Sequence, residues 1–92
     1  MTEETEKMPV IKLFANLRKL AGTKEASIPG TTLGLVLNEL VHMHPALNGV
    51  ILENGELRPH MVITLNGHNV SDMAMQVTEQ DGIAIFPPIA GG

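Results

Sequence analysis

The sequence predicts an α+β domain in which a mixed sheet carries one main helix on one face. Three observations predict it. An apolar stripe recurs at three- and four-residue spacing across residues 31 to 43, an Asn66-Gly67 pair separates two extended runs, and short β-branched runs stand near both ends of the chain. A stripe of that spacing buries one helix face, and a helix of this kind is stable only against another layer, here the inward side chains of a sheet.

Residues 1–8 form a polar, acidic leader expected to be disordered, since termini order only when tied down. After Pro9, Val10, Lys12 and Phe14 alternate with Ile11, Leu13 and Ala15, the period of a strand with a core face and a partly covered face. Asn16 is a candidate cap for one or two helical turns that end at Gly22. Residues 23–28 read as a weaker, charged strand at a sheet edge, closed by a Pro29-Gly30 turn. Thr31 and Thr32 are the candidate N-caps of the main helix, whose stripe is Leu33, Val36, Leu37, Leu40 and Val41 and which Pro45 ends. Gly34 in its first turn lowers helix propensity by about 1 kcal/mol relative to alanine, either tolerated or serving close packing.

Beyond Pro45 the pattern becomes irregular. Leu47, Val50, Ile51 and Leu52 supply a short strand that Asn54-Gly55 turns. Asn66-Gly67 is the strongest hairpin signal in the chain, because both residues accept positive φ. Asp81-Gly82 marks another turn and residues 83–86 a short final strand. The expected sheet core is Ile11, Leu13, Val62 or Ile63, Ile83 and Ile85, with the inward parity of the Met-Val-Ile-Thr-Leu run left open. Residues 9–86 then make one domain, with 87–92 an extended tail.

Composition removes several function classes. With 92 residues there is room for one modest core and no deep catalytic cavity. Ten acidic against six basic residues leave a formal charge of −4, which disfavours nucleic acid as the main partner. The absence of cysteine excludes disulfides, thiolate metal sites and a cysteine nucleophile. No apolar run has the length of a membrane span and no signal peptide is visible, so no membrane is expected and cytoplasmic residence is the default. No metal site is expected: His42 and His44 point to different helix faces, and His60 and His68 lack acidic or sulfur ligands at diagnostic spacing. The carboxylates, glycines and serines match no acid pair, phosphate loop or nucleophile elbow, so an independent active site is not expected.

The ending Pro87-Pro88-Ile89-Ala90-Gly91-Gly92 is unusual. A terminal Gly-Gly arises by chance in about one chain in two hundred. Prolines favour extension away from a domain, and glycine admits a narrow channel and close backbone approach. A terminal carboxylate is a weak electrophile until an ATP-using partner activates it.

The opening VIKLFANLRKLAG, the Thr-Thr-Leu helix start, the later His-Pro, the Leu-Asn-Gly hairpin and the ending DGIAIFPPIAGG resemble the sulfur carriers of the ubiquitin-like superfamily. Within these the sequence is most similar to the small subunit of molybdopterin synthase, over nearly all of residues 10–92. The resemblance implies a β-grasp fold and a non-catalytic carrier that itself binds no cofactor. An E1-like adenylyltransferase would use ATP to activate Gly92, a sulfurtransferase would supply sulfur to give a thiocarboxylate, and the large subunit of molybdopterin synthase would receive the tail. It implies that Gly91 is the slim neighbour of the reacting Gly92. Pro87, Pro88, Ile89 and Ala90 become the inserted arm, with Phe86, Phe14 and Arg18 as partner contacts (Arg18 alternatively bracing the first loop). One segment departs from this pattern: residues 54–60, with Leu57-Arg58-Pro59-His60, are more similar to carriers that serve cysteine synthesis. Sulfur delivery to cysteine or tRNA thiolation, conjugation to lysines as a ubiquitin-like modifier, and an inert β-grasp binding module are the alternatives.

Overall fold

The computed structural model describes residues 8–87. The elements are β1 (Val10–Leu13), α1 (Asn16–Ala21), β2 (Glu25–Ser27), α2 (Leu33–Met43), a 3-10 turn at Pro45–Leu47, β3 (Leu52–Glu53), β4 (Glu56–Leu57), β5 (Val62–Leu65), β6 (His68–Val70) and β7 (Gly82–Phe86). Five strands form one sheet in the order β2-β1-β7-β5-β6, and β3 with β4 makes a separate two-stranded ribbon. The first and last strands of the sheet lie side by side and parallel, with Ile11 opposite Ile83 and Leu13 opposite Ile85; the other pairings are antiparallel. The expected mixed sheet with one main helix is what the chain forms.

The core follows from strand alternation. Ile11, Leu13, Ile63, Ile83 and Ile85 are buried together with Leu33, Val36, Leu37 and Leu40 of α2. The parity of β5 is resolved by register: Ile63 sits opposite Ile85 and points in, whereas Val62 is 41% exposed on the outer face. β2 lies at an edge, as its charge suggested, and Val41 is only partly buried against the core.

The helix start at residue 32 has a full account of its free N–H groups. The Thr32 hydroxyl accepts from Leu35 N–H at 3.2 Å, while Leu33 and Gly34 N–H donate to the Met75 and Met73 carbonyls at 2.8 Å. The segment at residues 73–77 is thus a strap across the first turn of α2. It also explains Gly34, where a Cβ would stand 3.1 Å from the Met73 carbonyl oxygen. Close packing is its reason.

Two expectations need correction. Asn16 does not cap α1: it is the first helical residue, and the cap position is Ala15 with φ 56° and ψ −135° and no side-chain bond. Gly22 does end that helix in the left-handed conformation, its N–H donating to Arg18 O at 2.9 Å. The strand expected from Leu47, Val50, Ile51 and Leu52 begins only at Leu52, because Leu47 closes the 3-10 turn and Val50 and Ile51 N–H both bond back to its carbonyl. The leader, apart from Met8, and residues 88–92 lie outside the described residues.

The Asn66-Gly67 hairpin forms as expected, with φ of 52° and 88°. Its side chain does more than tolerate the turn. Asn66 Nδ2 donates to Asp81 Oδ1 at 2.9 Å, and its Oδ1 accepts from Gly82 N–H at 2.8 Å, clamping the hairpin to the start of β7. Asp81 Oδ2 also accepts from Thr78 N–H at 2.7 Å. The Asn66 amide first, and the Thr78 N–H second, hold the Asp81 carboxyl below its usual range. A depressed carboxylate pKa stabilises the fold above the unfolded value of about 3.9 and loses that contribution as pH falls through the folded value. Asp81→Ala is therefore expected to melt at lower temperature than wild type at neutral pH, with the gap closing in acid. Thermal melts across that range check it.

Candidate functional site

The chain has two phenylalanines and no tyrosine or tryptophan, and neither phenylalanine is in the core. Phe14 follows β1 and Phe86 ends β7. Because those strands are parallel neighbours, the two rings meet on the outer face, with centroids 4.4 Å apart and planes 15° from parallel. A small domain that keeps its only large rings out of its interior gives up packing for a surface feature, and aromatic side chains are enriched where proteins bind one another. Val62, opposite Phe86 on β5, widens the patch.

Arg18 steadies this pair. Its Nε donates to the Leu13 carbonyl at 2.8 Å and its guanidinium lies 5.3 Å from the Phe14 ring centroid. The donor bond holds α1 against the end of β1, and the cation over the ring adds about 0.5–1 kcal/mol at an exposed site. Of the two roles weighed for Arg18, bracing is the one with visible contacts.

Beside the stacked rings runs an open groove. Phe14, Val62, Phe86 and Pro87 line it together with Val50, Arg58, Pro59 and His60. Pro87, which directly follows β7, is the last described residue and lies in this lining. Arg58 is tied back at two points, its N–H donating to Ile51 O at 2.9 Å and its guanidinium to Glu53. That ion pair is solvent-exposed and contributes little stability.

The site brings together Phe14, Arg18, Phe86 and Pro87 from the sequence reading. Pro88, Ile89, Ala90, Gly91 and Gly92 fall outside the described residues. Val62, Val50 and His60 were named in the sequence only in other roles, as a core candidate, part of a short strand and a rejected metal ligand, and not as partner contacts. Val62 was hidden by a run that is apolar at every position but Thr64, and the other two reach the groove through the loops around the β3–β4 ribbon. Among the described residues no three acidic or histidine side chains gather as a metal site, and no helix is long and apolar enough to cross a membrane.

A central parallel pair made of the first and last strands, with one long helix across the inner face, is the ubiquitin-like β-grasp. Solved structures agree. The chain is 36% identical to small archaeal modifier protein 1 of Methanosarcina acetivorans, covering 91% of this chain and 95% of that one at a TM-score of 0.82. It is 35% identical to the Haloferax volcanii protein of the same name, covering 91% and 98% at a TM-score of 0.77. In sequence it is 33% identical over 88 residues to small archaeal modifier protein 3 of Haloferax volcanii, covering 89% of this chain and 96% of the relative. It is also 35% identical over 85 residues to the molybdopterin synthase sulfur carrier subunit of Arabidopsis thaliana, covering 89% and 80%. Residues 11–92 match the ThiS family. The chain belongs to the ThiS family of ubiquitin-like sulfur carriers and modifiers.

Proposed function

We propose that the chain is the sulfur carrier of molybdopterin synthesis. An E1-like enzyme adenylates the Gly92 carboxylate with ATP, releasing pyrophosphate. A sulfur donor then displaces AMP to leave a thiocarboxylate, and the large synthase subunit takes up the tail so that the sulfur passes to a pterin precursor. The observation that carries this reading is the placement of the only two aromatic rings, stacked on the outer face at the root of a tail that ends in Gly91-Gly92. The rings dock a protein while the arm reaches into it. The Arabidopsis relative, named as a sulfur carrier subunit, supports the pterin acceptor. Two solved structures of proteins named CysO, at 19% and 23% identity, share the fold alone.

A second reading has its own support. Two Haloferax relatives, at 33% and 34% identity, are named modifiers. Both readings begin with the same acyl adenylate and differ in the nucleophile, sulfur against a lysine amine. The deciding experiment incubates the chain with ATP, its host's E1-like enzyme and a sulfur source, records intact mass, then adds the large synthase subunit and pterin precursor. A gain equal to exchange of one oxygen for sulfur, followed by dithiolene formation, supports the carrier. Loading without dithiolene, with lysine-linked conjugates in the host, replaces it with the modifier.

A further inference from the structure

The sequence contains three Asn-Gly pairs: Asn48-Gly49, Asn54-Gly55 and Asn66-Gly67. In such a pair the glycine nitrogen can attack Cγ of the asparagine before it, and with no Cβ on the glycine nothing obstructs the approach. Local sequence makes the three pairs nearly equal. The fold makes them different.

At Asn48 the nucleophile is held, because Gly49 N–H donates to the Leu52 carbonyl at 2.8 Å. At Asn66 the electrophile is held. Its Nδ2 donates to Asp81 Oδ1 at 2.9 Å and its Oδ1 accepts from Gly82 N–H at 2.8 Å, which fixes the amide from both ends. At Asn54 neither group is held: among the described residues its side chain makes no hydrogen bond and Gly55 N–H donates none. Backbone φ does not separate the two turns, being 55° and 79° at Asn54 and Gly55 against 52° and 88° at Asn66 and Gly67. What they close does. Asn66 joins β5 to β6 within the five-stranded sheet, whereas Asn54 joins β3 to β4, two residues each, in the ribbon outside it. Glu53 and Glu56 stand opposite each other beside that turn, and facing like charges weaken a strand pair. A ribbon this short opens readily, and ring closure needs that opening.

We propose that Asn54 is a self-modifying site, at which the folded chain deamidates through a cyclic imide while Asn48 and Asn66 persist. The Gly55 nitrogen gives its proton to solvent base and bonds to Asn54 Cγ; the Cγ–Nδ2 bond breaks and Nδ2 leaves as ammonia. Water then opens the ring and the Gly55 nitrogen recovers a proton. Addition of water at Cγ yields aspartate. Addition at the Asn54 carbonyl carbon breaks the original peptide bond and yields isoaspartate, whose main chain runs through the former side chain. Either product places a third carboxylate beside Glu53 and Glu56, and isoaspartate also lengthens a two-residue turn by a methylene.

Ageing the folded chain in mildly alkaline buffer tests this, with peptides cut after glutamate and read by tandem mass spectrometry. Cleavage at Glu53 and Glu56 puts Asn48, Asn54 and Asn66 on separate peptides. Asn54 is expected to gain the mass of an NH2-to-OH exchange about tenfold faster than Asn66, the factor that one hydrogen bond to a carboxylate is worth. In denaturant the three rates converge. Asp81→Ala, held below its melting temperature, removes the acceptor of Asn66 Nδ2 and brings the Asn66 rate toward that of Asn54. An isoaspartate-specific methyltransferase labels the Asn54 peptide of aged wild type, and Asn54→Gln loses that label because its longer side chain would have to close a larger ring. Equal rates at Asn54 and either other pair in the folded chain overturn the proposal. So does an unchanged Asn54 in a folded chain whose denatured form reacts, or a lead for Asn54 that is the same with and without denaturant.

Discussion

On the carrier reading, deletion of Gly92 is expected to abolish ATP-dependent sulfur loading of the chain, and fusion of a few residues after Gly92 is expected to do the same. The chemistry demands a free α-carboxylate at one fixed distance from the docked domain. Adenylation turns a poor leaving group into AMP, and that exchange happens only where the carboxylate meets the α-phosphate of ATP. A chain shorter by one residue ends about 3.5 Å early. A misplacement of about 1 Å at a reacting centre already costs about 10²-fold in rate, so loss to the limit of detection is the expected result. Fusion fails for a different reason, because the Gly92 carboxylate becomes a neutral amide, which has no carboxylate oxygen to attack the α-phosphate of ATP. Intact-mass measurement after loading distinguishes both variants from wild type, and a circular dichroism spectrum shows that each remains folded. Loading of the Gly92 deletion at the wild-type rate would remove the terminal glycine from the mechanism.

Much of this fold was legible because several signals are local. The α2 stripe, its Thr32 cap and the Asn66-Gly67 turn each depend on residues within one turn of one another, and each formed where expected. The illegible parts are settled at long range. Met61 to Leu65 is apolar almost throughout, so alternation cannot say whether Val62 or Ile63 faces inward; pairing with Ile85 of β7 decides it. Asn16 has good capping chemistry, yet the backbone turns one residue earlier, at Ala15, where the chain leaves β1 for α1. The clamp from Asn66 to Asp81 joins residues fifteen apart. For the site, the two rings were visible as candidates, but their stacking follows from the parallel β1–β7 register, which no short window contains. The groove was least visible, since part of its lining depends on how the loops around the ribbon fold back.

Ile85 and Phe86 are adjacent in β7 and point to opposite faces, so alanine at each separates stability from docking. Ile85 is fully buried, flanked by Leu13 of β1 and Ile63 of β5. Ile85→Ala removes buried methyl groups from the middle of the sheet, where both neighbouring strands hold their positions and the cavity cannot collapse. The expected cost is about 3 kcal/mol. Against a total of roughly 5–14 kcal/mol for a domain of this length, that is a large fraction, and it lowers the melting temperature by roughly 12–24 °C. Phe86 is half-buried, and its inner neighbours do not depend on its ring. Phe86→Ala loses the Phe14 stack, about 1 kcal/mol, and leaves a folded domain. Its larger effect falls on recognition: an aromatic anchor at an interface centre is worth about 2 kcal/mol or more, which is roughly thirtyfold in affinity. Thermal melts and KM in ATP–pyrophosphate exchange by the activating enzyme, run on both variants, should therefore move in opposite proportion. If Phe86→Ala instead melts as early as Ile85→Ala and keeps a wild-type KM, the stacked rings serve the fold, and the docking face must be sought elsewhere on the sheet.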